Sequence, residues 1–106
     1  MAYLPNQPSS RLGAAQNVAI TAASVASAAF GAQTYQIRCV ISQATPVTGT
    51  AGVRFRIGDG TPTAVAADSF LPIGTVEYFT VTPGQRIAVV SNDASVAGTV
   101  SVTEIV

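Results

Sequence analysis

Between Thr34 and Ser42 the chain reads TYQIRCVIS, in which Tyr35, Ile37, Cys39 and Ile41 alternate with Gln36, Arg38 and Val40. A repeat of two puts those four side chains on one face of an extended strand, whereas a helical face would recur every three to four residues. The same alternation returns at Val53, Phe55 and Ile57, along Val76 to Val81 and Gln85 to Ser91, and in GTVSVTEI from Gly98 to Ile105, where Val100 and Val102 share a side. Turn-forming residues separate the runs. Thr82-Pro83-Gly84-Gln85 is the clearest, since proline presets the second turn position and glycine supplies the positive φ of the third. QATPVTGTAG (43–52), GDGTPTAVAAD (58–68) and the polar stretch from Asn92 to Gly98 read as further turns or loops, the second with little to pack beyond Val65. About six strands, with one or two more open and no amphipathic helix, predict an all-β fold: a compact antiparallel β-sandwich or jelly roll.

The first strand signal is Val18 and Ile20 alternating against Ala19 and Thr21. Between Ala22 and Ala29 alanine favours helix and serine competes for backbone hydrogen bonds, so a short helical turn and an extended crossing are both open. Ahead of these lies MAYLPNQPSSRLG, whose prolines and small polar residues prevent helix and predict an extended N-terminal arm over 1–13. Residues 14–106 then form a single β-sandwich domain, the most that 106 residues accommodate. The arm carries Tyr3, Leu4 and Pro5 near its start and Arg11 and Leu12 near its end, anchors suited to docking on a neighbouring subunit. Phe70, Leu71 and Pro72, inside the apolar run that ends at Ile73, form either a core plug or a contact patch. These eight residues are the candidate interface.

Charge limits function more than any motif does. Asp, Glu, Lys and Arg make up 9% of the chain, against roughly 25% in an ordinary soluble domain. All five cations are arginines, five carboxylates balance them, and 48% of the residues are hydrophobic. Such a surface resists self-association poorly, so much of it is expected to be covered in the working state, with a homo-oligomer as the simplest cover. Without a concentrated basic field the chain is not expected to bind nucleic acid; Arg54 and Arg56 read as outward side chains on a strand. No membrane span is expected either, because polar residues interrupt the apolar stretch from 13 to 32. The start of the sequence shows no signal-peptide pattern, so synthesis in the cytoplasm is expected.

There is no histidine and no lysine, so acid–base chemistry would fall to carboxylates, tyrosines or one thiol. Asp59, Asp68, Glu77, Asp93 and Glu104 are scattered along the chain, and Cys39 falls at an apolar strand position, where it reads as a buried filler. No metal-ligand spacing and no phosphate loop is present, and Gly58, Gly60 and Gly74 read as turn residues. No cofactor and no enzymatic activity are expected.

FLPIGTVEYFTVTPGQRIAVV, a polar turn and GTVSVTEIV together resemble a group of small virion proteins of tailed bacteriophages, in which a run of the form LPxGxxEyFxVxPGqxIAV leads to a last strand near lyVTEl. The likeness covers Phe70 to Val106 and extends more loosely to AFGAQT (29–34) and the strand after it. The resemblance implies a β-sandwich subunit, often trimeric, that binds the major capsid protein as a cement or decoration protein on the capsid surface of the virion. It equally allows a head spike, collar or tail accessory that touches a host glycan or protein through its loops. It transfers no catalytic residues, and the arm and the loop from Gly58 to Asp68 have no counterpart in it.

Overall fold

The computed structural model describes residues 12–45, 52–92 and 97–105, with the backbone alone for 42–45. In chain order the strands are β1 (Leu12–Ile20), β2 (Val25–Ala26), β3 (Gln36–Thr45), β4 (Gly52–Gly58), β5 (Ser69–Pro72), β6 (Val76–Thr80), β7 (Arg86–Ser91) and β8 (Ala97–Ile105). They form two four-stranded antiparallel sheets, ordered β1-β8-β3-β6 and β2-β7-β4-β5. First pairs with last, second with seventh, third with sixth and fourth with fifth across the two sheets, as in a long hairpin rolled up on itself. This is the jelly-roll form of the β-sandwich.

The period-two pattern decides which side of each strand meets the other sheet. Val18 and Ile20 on β1, Ile37, Cys39 and Ile41 on β3, and Val100 and Val102 on β8 line the inner face of the first sheet. Val53 on β4, Leu71 on β5 and Ile87 and Val89 on β7 oppose them from the second. Phe30 and Val81 close one end of this core. Cys39 is the small filler its phase foretells, and burial pushes its thiol up to about 12, which keeps it protonated and unreactive.

Tyr35 and the loop after Gly58 depart from expectation, the Ala/Ser segment takes one of its two open forms, and the Thr82–Gln85 turn forms as expected. Tyr35 is 62% exposed and does not join the inner face. β3 enters its ladder only at Gln36, and a side chain before the first paired residue takes no direction from the pleat. The Ala/Ser segment is extended, not helical. β2 pairs with β7, Ser27 N–H donates to the Ile87 carbonyl at 2.8 Å, and the Ile87 N–H returns to Ser27 Oγ at 3.0 Å, so serine's competition for the backbone prevails over alanine's helix preference. The Thr82–Gln85 turn forms, with Gln85 N–H on the Thr82 carbonyl at 3.1 Å and Gly84 at φ +87°. The strands it joins lie in opposite sheets, so it carries the chain across the sandwich and does not make a hairpin. In the loop after Gly58 it is Ala64, 4% exposed, that packs, its N–H held by Ser24 Oγ at 2.9 Å, while Val65 stays exposed.

Candidate interaction surface

β5 and β6 are the edge strands of the two sheets on the same side of the sandwich, and a turn through Gly74 (φ +75°) links them. Thr75 Oγ1 fastens that turn to the Pro72 carbonyl at 2.8 Å. Between the two edges the sheets part, leaving a groove of about 270 Å³ lined chiefly by Phe55, Phe70, Leu71, Pro72 and Phe79, with Glu77 among them. The Phe55 and Phe79 rings meet at its floor with centroids 4.8 Å apart and planes tilted by 44°. Ser69 and Thr75 add hydroxyls to the lining. An apolar cleft of this kind suits the uptake of an apolar side chain.

Beside the groove, Arg54 and Arg56 fix the loop that follows Gly58. Arg56 donates to Asp68 Oδ1 from Nε at 3.2 Å and Nη2 at 2.8 Å, and Val65 N–H donates to Asp68 Oδ2 at 2.8 Å. These bonds, the arginine's first, hold the Asp68 carboxyl below its ordinary range. Arg54, which the alternation sends to solvent, lies half-buried instead. It stacks 5.0 Å from the Phe70 ring centroid, donates Nε to Asn92 Oδ1 at 2.8 Å and reaches the Asp68 carbonyl at 3.2 Å. The arginine doublet is therefore a clamp within the chain, and both guanidinium groups are engaged. Because Asp68 is lowered in the folded state, the clamp contributes stability above the unfolded carboxylate value, about 4, and loses it as pH falls through the folded value. Melting temperature is expected to drop on acidification below about pH 4, and the Arg56→Ala variant should show a shallower drop in the same titration. Equal slopes would remove the clamp as a source of acid sensitivity.

Sequence reasoning missed the third feature. Glu104 is 7% exposed and continues the inward phase of Val100 and Val102, opposite Ile37 on β3. Its Oε1 accepts the Gly31 N–H at 3.0 Å and the hydroxyl of Thr34, itself fully buried. The carboxyl group thus ties the loop between β2 and β3 to the last strand. The signal was available, since a carboxylate at an apolar phase of an alternating strand calls for buried donors.

Of the candidate interface, Tyr3, Leu4, Pro5 and Arg11 lie outside the described residues. Leu12 is 64% exposed at the start of β1. Phe70, Leu71 and Pro72 share β5 and divide by alternation: Leu71 plugs the core, Phe70 lies half-buried under Arg54, and Pro72 is exposed. β1 and β5 sit on opposite sides of the sandwich, so Leu12 and the β5 residues do not form one patch. Among the described residues no three His, Cys, Asp or Glu side chains converge as a metal site would need. No helix among them is long and apolar enough to cross a membrane. No family model matches the chain, and no match is found among curated proteins or solved structures.

Proposed function

We propose that this protein is a structural subunit of a tailed-bacteriophage virion, a cement or decoration protein that binds the major capsid protein and stabilises the shell. The observation that carries the reading is the scarcity of charge on a rigid strand-built body: 9% of residues are charged and none is lysine. Interface centres are depleted in lysine and acids, so a subunit that spends its working life between neighbours can do without them. The run from Phe70 to Val106 supports the phage assignment through its resemblance to small virion proteins. In the folded chain that run supplies most of β5 and all of β6 to β8, and so both edges of the groove. The jelly roll supports the reading at the level of architecture only, because one fold serves many functions.

In this role the protein acts as a homo-oligomer, has no catalytic activity, and is assembled onto the capsid surface in the bacterial cytoplasm. The test is deletion of its gene from the encoding phage. Particles lacking the protein are expected to assemble and then to release their genome at a lower temperature than wild-type particles, with heat resistance restored by adding purified protein. Unchanged heat resistance overturns the reading, as does a copy number of only a few per particle, which belongs to a vertex or tail part.

A further inference from the structure

Two open sheets have four edges: β1 and β6 in the first, β2 and β5 in the second. An edge strand presents unpaired N–H and C=O groups at alternate residues, and proteins close such edges with brevity, proline, charge or bulges. Three of the four are closed in these ways. β2 has two residues, β5 has four and ends on Pro72, and β6 has five and carries Glu77. β1 differs. It runs for nine residues, LGAAQNVAI, with no charged side chain and no proline. Its one device is a bulge between Leu12 and Ala15, which leaves Ala15 to Ile20 in unbroken register with Thr103 to Gly98 of β8. Among the described residues, β8 is the only strand that pairs with it.

We infer that the β1 edge pairs antiparallel with the β1 edge of a second copy of this chain, joining two four-stranded sheets into one of eight strands across a two-fold axis. Identical edges meeting antiparallel make an isologous contact, in which every bond is made twice and no edge is left over. Charge favours the same occupant, because the strand is neutral and the whole chain has a formal net charge of zero, so two copies meet without repulsion. The side chains beside the edge are small. Ala15, Asn17 and Ala19 are exposed on the outer face, leaving room for a neighbouring strand at the usual spacing of about 4.8 Å.

The pleat also restricts the register. Val18 and Ile20 must face inward in both copies, so the axis passes at a residue, Asn17 or Val18, and not between two residues. With the axis at Asn17, Ala15 of one copy lies opposite Ala19 of the other. The inference rests on the reading of the protein as an assembly of copies, but not on where that assembly sits. It also departs from the trimer that the resemblance implies, since a two-fold contact builds even numbers of subunits.

Sedimentation equilibrium of the full chain tests it. A two-copy species that dissociates on dilution is expected. The double variant Asn17→Lys with Ala19→Lys places like charges across the axis, away from the core, and should weaken self-association by about tenfold or more. Tyr78→Lys on the β6 edge should leave self-association unchanged. Should the double variant fail to fold, amide hydrogen exchange of the wild type replaces it: alternate amides of Ala15 to Ile20 gain protection as concentration rises. A monomer at high concentration, a three-copy species, or dissociation by Tyr78→Lys alone overturns the inference. So does β1 protection that ignores dilution, which would assign the edge to a segment of the same chain. An assembly held elsewhere would leave the proposed capsid role standing, and unchanged virion heat resistance would leave the edge pairing standing.

Discussion

Replacing Gly52 with alanine is expected to cost about 3 kcal/mol of stability or more, the sum of backbone strain and steric overlap. Gly52 has φ +152°, a conformation side-chain-bearing residues rarely adopt, and it faces Pro72 across the β4–β5 ladder. A Cβ there would stand 2.4 Å from the Leu71 carbonyl oxygen and 2.8 Å from the Phe70 ring. The ring can swing aside, but the carbonyl belongs to the ladder and cannot. Relief therefore requires β5 to move away from β4, carrying Phe70, Leu71 and Pro72 with it and opening the groove. Urea denaturation of Gly52→Ala should show the loss as a lower midpoint, with early hydrogen exchange in β5. A loss below about 1 kcal/mol would mean that the β5 backbone yields freely and that the groove wall is soft.

Glu104→Ala is expected to cost about 3 kcal/mol, because it strands the buried Thr34 hydroxyl, releases the Gly31 amide and opens a cavity beside Ile37. Gly31 N–H and the Thr34 hydroxyl lose their shared acceptor at once. Glu104→Gln retains a carbonyl oxygen for at least one of them and should cost about 1 kcal/mol. Thr34→Val combined with Glu104→Leu removes a donor and the acceptor together, leaving only the Gly31 amide unanswered. That pair should recover a large part of the loss, since apolar replacement of both partners in a buried hydrogen bond is close to neutral. Denaturant titration of the three variants beside the wild type gives the comparison. Equal losses for alanine and glutamine would show that volume, not hydrogen bonding, sets the role of Glu104.

The strands most legible in the sequence were those with branched residues at alternate positions. β3, β7 and β8 declare their inner faces through Ile37 and Ile41, Ile87 and Val89, and Val100 and Val102. β2 gave no such signal, because Ala and Ser read alike on either face and its place is set by hydrogen bonds to β7. The Thr82–Gln85 turn was plain from Pro83 and Gly84, yet a turn motif fixes local chain direction and not which sheet receives the next strand. The groove was half visible: Phe70, Leu71 and Pro72 stood out as an apolar run, but Phe55 and Phe79 reach it from strands distant in sequence. Arg54 shows the limit of alternation most clearly. The period predicts which way a side chain leaves the backbone, not that an aromatic ring and an amide will be waiting to hold it.

β1 is held in the first sheet by β8, with Leu12 opposite Ile105 and Ile20 opposite Gly98. A ribosome makes these partners at opposite ends of the described chain, so the first strand waits through the synthesis of the seven that follow. Pairings so far apart in sequence form slowly, since loop closure must precede any gain from contact. A nascent chain halted before Gly98 would lack the strand that lies between β1 and β3, and its first sheet could not close. Interrupted translation products would then stay open and sensitive to proteases, and only chains carrying the last strand would reach the closed, rigid form.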